Sequence, residues 1–215
     1  MIISHRHRFI FIKTTKCAGT SVEIALSRFC GPEDIITPIS PVDEEHRKAL
    51  GFRGNQNWGG SKPGDRRYRR HMGASAIRQR VGLECWESYF KFTITRNPFD
   101  RAVSEYFWRY RNGVIPRFSE FCDSPWLARL NQKGFGLYTI NGRVAVDEVC
   151  RFENLESDLE AVRLQLGLAD SLSLPQAKSG VRPVNSQHQS IIGEPQRRIV
   201  ERTFAHELAL HHYEF

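Results

Sequence analysis

The run Lys16-Cys17-Ala18-Gly19-Thr20-Ser21 gathers an ammonium, a thiol, two hydroxyls and two small residues in one short stretch. Before it stands Phe9-Ile10-Phe11-Ile12, an almost wholly apolar run suited to a buried strand. After it, Val22, Ala25, Leu26 and Phe29 recur at i, i+3, i+4 and i+7, one apolar helix face. The spacing predicts strand, tight turn and helix, with the loop Lys13–Ser21 aiming backbone N–H groups and hydroxyls at one point. A helix N-terminus behind such a turn attracts an anion such as a phosphate. Ala18 and Gly19 are small enough to let the backbone pass close to that ligand. Thr20 and Glu23 have capping-box spacing, which starts the helix at Thr20. A Walker A loop is excluded, because it needs a Lys directly after its last Gly. Here Lys16 precedes Gly19 instead.

A second unit of the same form follows. Phe90, Phe92 and Ile94 alternate, predicting a strand over Tyr89–Thr95. The strand runs into Arg96-Asn97-Pro98, where Asn-Pro is a good N-cap and N1 pair. Phe99, Ala102, Val103, Tyr106 and Tyr110 then keep helical spacing to about Arg111. Residues 31–50 read as irregular with one short helix near Asp43–Leu50. Ala74–Val81 reads as a helix ended by Gly82. Short helical pieces are expected at Arg117–Cys122 and Pro125–Asn131, and a hairpin turn at Asn141-Gly142. A strand over Val149–Phe152 precedes a helix over Asn154–Leu166. Ser171–Gln189 reads as a polar loop, and Pro195 opens one last helix. Strands alternating with helices predict an α/β fold, a P-loop-like doubly wound parallel sheet flanked by helices. The chain of 215 residues suits a single domain, 1–215.

The net charge is +7, from 31 basic and 24 acidic residues. That balance fits an anionic ligand, nucleic acid or a membrane surface, without choosing among them. The stretch 51–70 is a Gly-rich basic insertion in which Arg53, Lys62, Arg66, Arg67, Arg69 and Arg70 face only Asp65. It reads as a long loop, either solvated or used to bind an acceptor. No run approaches the roughly 18 apolar residues of a membrane span. Met1–Arg8 has no signal-peptide pattern. Five cysteines, widely spaced and without a C-x-x-C pair, point to reduced thiols, a cytoplasmic setting and no structural zinc.

Two motifs carry a family resemblance. Lys16-Cys17-Ala18-Gly19-Thr20-Ser21 resembles the phosphosulfate loop of the sulfotransferases, usually Lys-Thr-Ala-Gly-Thr-Ser, with Cys17 in the place of Thr. Arg96-Asn97-Pro98-Phe99-Asp100-Arg101-Ala102-Val103-Ser104-Glu105-Tyr106 resembles their 3′-phosphate motif, Arg-Asn-Pro-x-Asp-Arg-x-x-Ser-x-Tyr. The likeness is to the carbohydrate-type (Golgi-type) branch and its soluble bacterial relatives. Arg151-Phe152-Glu153-Asn154-Leu155-Glu156-Ser157-Asp158 and the closing His212-Tyr213-Glu214-Phe215 also resemble family segments, as structural ones.

The resemblance implies a sulfotransferase that uses 3′-phosphoadenosine 5′-phosphosulfate (PAPS) and releases 3′,5′-ADP. It implies that Lys16, Cys17, Ala18, Gly19, Thr20 and Ser21 cradle the 5′-side phosphosulfate, while Arg96 and Ser104 hold the 3′-phosphate. A guanidinium's parallel donors suit that task. Lys16 would also stabilise the leaving group, and His71, heading a helix, would be the base, since its pKa range suits proton removal. His188 is the rival base; His206, His211 and His212 read as solvated. Lys178, Ser179 and Arg182 fit a loop closing over the nucleotide. The acceptor is a hydroxyl compound, with carbohydrate or a small alcohol expected, and no metal is required. Two alternatives stay open: a P-loop nucleotide kinase-like phosphotransferase and a basic nucleic-acid-binding module. The first would need a Lys after Gly19; the second leaves Lys16, Arg96 and Ser104 without a task.

Overall fold

The computed structural model describes residues 1–59, 67–175, 181–183 and 186–215. Strands β1 (Ile2–Ser4) and β2 (Phe9–Ile12) lead into helix α1 (Gly19–Ser27), strand β3 (Ile35–Ile36) and helix α2 (Pro41–Ala49). Helices α3 (Ala74–Val81) and α4 (Leu83–Ser88) precede β4 (Phe90–Thr95). Then come α5 (Pro98–Tyr110), α6 (Phe118–Asp123), α7 (Trp126–Gln132) and α8 (Phe135–Tyr138). The hairpin β5 (Thr139–Ile140) and β6 (Arg143–Val144) leads to β7 (Glu148–Arg151) and α9 (Leu155–Gln165). The chain closes with α10 (His188–Ile191), α11 (Glu194–Thr203) and α12 (Ala205–His211).

The central sheet has the order β3-β1-β2-β4-β7. β2 pairs in parallel with β4, and β4 with β7, as the two strand–turn–helix units predict. The sheet is mostly rather than wholly parallel, because β1 runs antiparallel to both β2 and β3. Three-residue β1 and two-residue β3 are too short to show a period, and sequence reading passed over both. Alternation along β2 divides the core. Phe9 and Phe11 face Val22 and Leu26 of α1, together with Leu159 and Val162 of α9. Ile10 and Ile12 face Ala74 and Ile77 of α3, Trp86 and Leu137. Helices thus cover both faces, and a third core joins α5, α6, α7 and α11.

Glu23 departs from its expected role. The N-cap of α1 is Ala18, in the left-handed region at φ 52°, with no side-chain cap. Glu23 is instead fully buried, accepting from the Met1 ammonium at 2.7 Å, from Lys13 and from Thr37 Oγ1. Burial works against the anion, yet the two cations prevail and hold the carboxyl at about 2.

The C-terminal region also departs from expectation. The spacing predicts one helix from Pro195; two form, α11 and α12, meeting at Phe204. His211 is buried rather than solvated, with Nε2 3.0 Å from the Tyr138 hydroxyl. Part of the basic loop is packed as well: Tyr68 is buried, and Gln56 bridges to Ile36 and bonds the carbonyls of Gly31 and Asp34. Residues 60–66 of that loop, with Lys62 and Arg66, lie outside the described residues.

The helix after β4 is locked to α12 by an ion pair with no solvent exposure. Arg101 donates to both carboxylate oxygens of Glu207, at 2.8 and 2.7 Å, and Thr95 Oγ1 adds a bond of 2.8 Å. Gly134 is required beside this pair, since a Cβ there would lie 2.4 Å from Arg101 Nη1. Arg101 cannot swing aside without leaving Glu207. Removing one partner strands a buried charge, which costs about 3–5 kcal/mol. Glu207→Ala is therefore expected to lower unfolding stability by that amount in urea titration. A loss below about 1 kcal/mol would show that the pair does not anchor α12.

Candidate functional site

Two turns at the carboxyl ends of neighbouring parallel strands build the site. β2 ends in Lys13–Ala18, and β4 ends in Arg96-Asn97 before α5. Asn97 caps α5 as expected, its Oδ1 accepting from Phe99 N at 3.0 Å. The first turn takes a conformation that L residues rarely adopt, with φ 65° at Lys16 and 52° at Ala18. Bonds from three directions hold it there. Thr14 Oγ1 donates to the Ile94 carbonyl on β4, Thr15 N donates to the Lys133 carbonyl at 2.9 Å, and Arg96 Nη1 donates to the Lys16 carbonyl at 3.1 Å.

Gly19 serves packing. A Cβ there would sit 2.8 Å from Lys13 Cγ, and Lys13 is tied to buried Glu23. The small residue lets the chain pass Lys13, a neighbour within the fold.

A cavity of about 520 Å³ opens over these turns. Its wall includes all of Lys16–Ser21, together with Arg96, Ser104 and His71. Three separate stretches of sequence thus meet in one place. Among the described residues, Lys13, Lys16, Arg70, Arg96, Arg109, Arg129 and Lys133 line it against a single carboxylate, Glu105. Such a wall favours a polyanion.

Arg96 is oriented rather than loose. Nε donates to Asp100 Oδ2 at 2.7 Å, Nη2 donates to the same oxygen, and the guanidinium lies 3.9 Å above the Phe152 ring. Among the described residues, its remaining N–H donors meet no acceptor. The ammonium of Lys16 lies 4.5 Å from the centre of the Trp108 ring, on the cavity wall.

His71 sits beside the first turn. Its Nδ1 is 2.9 Å from the Lys13 carbonyl. A carbonyl only accepts, so Nδ1 carries the hydrogen, and in the neutral ring Nε2 keeps a free lone pair. Burial lowers the imidazole to about 4, the Lys13 charge adds to this, and the bond to the Lys13 carbonyl opposes it. His71 stands three residues before α3, which starts at Ala74.

Other candidates lie elsewhere. Arg182 is absent from the cavity wall; it pairs with Asp100 and bonds the Ser186 carbonyl. Lys178 and Ser179 lie outside the described residues. His188 is also away from the wall, stacked 6.0 Å from Phe99 and 3.9 Å from Asp100. Sequence reading missed Phe152, Trp108, Arg109, Trp126, Arg129 and Lys133 as wall residues. Phe152 stood in a motif read as purely structural. Glu153 of the same motif is structural: it accepts from Asn97 N at 2.7 Å and from the Tyr213 hydroxyl at 3.0 Å.

No helix among the described residues is long and apolar enough to cross a membrane. Comparison with known proteins gives the chain its relatives. An uncharacterized protein of Archaeoglobus fulgidus is 34% identical over 108 residues, 48% of this chain and 88% of that protein. A solved sulfotransferase from Alicyclobacillus acidocaldarius aligns over 97% of this chain and 96% of its own, at 18% identity and a TM-score of 0.43. The model of the sulfotransferase family matches residues 1–214. By that match over nearly its whole length, the chain belongs to the sulfotransferase family.

Proposed function

We propose that this sulfotransferase takes its sulfuryl group from PAPS and passes it to a hydroxyl of its acceptor. The observation that carries the reading is the meeting of the Lys16–Ser21 turn, Arg96, Ser104 and His71 on one cation-rich cavity. When bound, PAPS supplies a sulfuryl group already activated on a phosphate leaving group. The donor chemistry of the wall fits it. The backbone N–H groups of the turn and the Lys16 ammonium suit the 5′-side phosphate. Arg96, with the Ser104 hydroxyl, suits the 3′-phosphate.

The division of labour follows from the positions. His71 Nε2 takes the acceptor's hydroxyl proton as the acceptor oxygen bonds to sulfur. Lys16 stabilises the charge that grows on the phosphate oxygen as its bond to sulfur breaks, an interaction stronger in the transition state than before it. The turn, already held in its strained form by three hydrogen bonds, needs no rearrangement to receive that charge.

Calorimetry tests the donor. 3′,5′-ADP is expected to bind more tightly than 5′-AMP by about 1.5–3 kcal/mol, one charge-assisted phosphate contact. Arg96→Ala should erase most of the difference. Equal affinity of the two nucleotides for the unaltered protein would sink the PAPS reading.

The pH profile tests the base. His71 is held at about 4, so kcat/KM should stay level through neutral pH and fall on the acid side near 4. The sign follows from the role: a base is lost when it gains a proton, as pH drops through its folded value. An acid limb near 6.5 would instead report an unburied imidazole elsewhere.

The two proposed catalytic roles separate by mutation. His71→Ala should cut turnover by about 10²–10⁴-fold and leave 3′,5′-ADP affinity nearly unchanged. Lys16→Ala should lower turnover and also weaken the nucleotide. If nucleotide affinity falls equally in both variants, the assignment of His71 to the acceptor side is wrong.

A further inference from the structure

Helix α1 runs from the donor turn at Gly19 to Ser27, and a second cavity lies at its far end. This hollow of about 460 Å³ has a volume in the range of small-molecule sites. Among the described residues it shares no wall residue with the donor cavity. Arg6 enters it from the turn between β1 and β2, Arg28 from the end of α1, and Arg53 from the loop after α2. No carboxylate stands on its wall among the described residues. Three guanidinium groups gathered without a counter-charge repel one another, and a bound anion removes that cost.

The acceptors nearby are already taken. The Asp34 carboxylate accepts from Ser4 Oγ and from the backbone N–H groups of His5, Arg6 and Gly31. Arg53 Nε donates to the Cys30 carbonyl at 2.9 Å, and Gln56 Nε2 donates to the Gly31 and Asp34 carbonyls at 2.7 and 2.8 Å. With the paired backbone bonds between Ile36 and Gln56, both 3.0 Å, these fix the loop in place. Gly31 seats the stem of Arg6, since a Cβ there would lie 3.4 Å from Arg6 Cδ. What remains is a set of donors. The Arg6 guanidinium and Arg53 Nη2 meet no acceptor among the described residues. Asn55 Oδ1 accepts from the Trp58 indole N–H at 3.0 Å, which leaves the Asn55 amide N–H groups to donate. Arg28 pairs with Asp170 at 2.6 Å, but both side chains are exposed, and such a pair holds weakly.

We propose that this cavity is a second binding site, for a small molecule carrying a phosphate or sulfate group, held by Arg6 and Arg53 with Asn55 beside them. The proposal does not rest on the donor reading, and the test reads the two cavities separately. The Trp58 indole N–H reports the second cavity through its bond to Asn55, while those of Trp108 and Trp126 report the donor cavity. Nitrogen-15-labelled protein is titrated with glucose 6-phosphate, glucose 6-sulfate and glucose, and the indole signals are followed by nuclear magnetic resonance. Trp58→Phe identifies the Trp58 signal by its loss. At least one ester is expected to move that signal saturably, while glucose leaves it still. Tighter binding of the phosphate ester marks a phosphate site, and tighter binding of the sulfate ester a sulfate site. Arg6→Ala and Arg53→Ala should each weaken the response at Trp58 about tenfold or more, the worth of one charge-assisted contact. Any response at Trp108 and Trp126 should be unchanged in both variants. Arg6→Ala decides the matter if Arg53→Ala disturbs the loop, because the Arg6 guanidinium bonds nothing among the described residues. A Trp58 signal that neither ester moves, or that glucose moves equally, overturns the proposal. Unchanged affinity at Trp58 in Arg6→Ala overturns it as well.

Discussion

The site depends on a turn that the chain would not adopt unaided. Lys16 and Ala18 both carry positive φ, and each such residue costs about 1–2 kcal/mol without a glycine's freedom. The offset comes from around the turn. β4 receives the Thr14 hydroxyl, the end of α7 receives the Thr15 N–H, and Arg96 reaches back to the Lys16 carbonyl. Beneath it, Lys13 is drawn inward by buried Glu23. The parallel pairing of β2 with β4 sets the two strand ends side by side, and without it Arg96 could not meet the turn.

Arg96 links this backbone constraint to the rest of the molecule. Its Nη1 bonds the turn, its Nε edge bonds Asp100, and its face rests on Phe152. Asp100 in turn engages Arg182; burial works against its carboxylate, but the His188 ring beside it, the Arg96 charge and the hydrogen bonds from Arg182 and Arg96 keep it ionised. Arg182 is thereby connected to the Arg96 guanidinium without standing on the cavity wall. Arg101, the next residue, points the other way and pins α12 through Glu207. Arg96 before α5 thus lines the cavity, while Arg101 within α5 serves the fold.

Much of this was legible in the residues. The two strand–turn–helix units announced themselves by apolar period and by the Asn-Pro cap, and α3, α5, α7 and α9 lie where spacing put them to within a residue or two. Local pattern could not reveal what tertiary contacts decide. The Thr20–Glu23 spacing suggested a cap, but a carboxylate that can reach two buried cations gains more from them than from one exposed N–H group. Strands β1 and β3 carry no period to read. Arg182 and His188 were assigned by position in a polar stretch, while their partners lie far away on α5. The wall residues of α7 share no pattern with the donor motifs; the bond from Thr15 to Lys133 and the packing of α7 against α5 bring them to the cavity.

The central claim is that one cavity, framed by the Lys16–Ser21 turn and Arg96, receives the donor nucleotide. A crystal structure of the protein with 3′,5′-ADP tests it most directly. The account predicts the 5′-phosphate on the backbone N–H groups of the turn, and the 3′-phosphate on Arg96 and Ser104. His71 should remain on the acceptor side, out of contact with the nucleotide. A nucleotide held by Arg70, Arg129 and Lys133 with the turn left empty would contradict it.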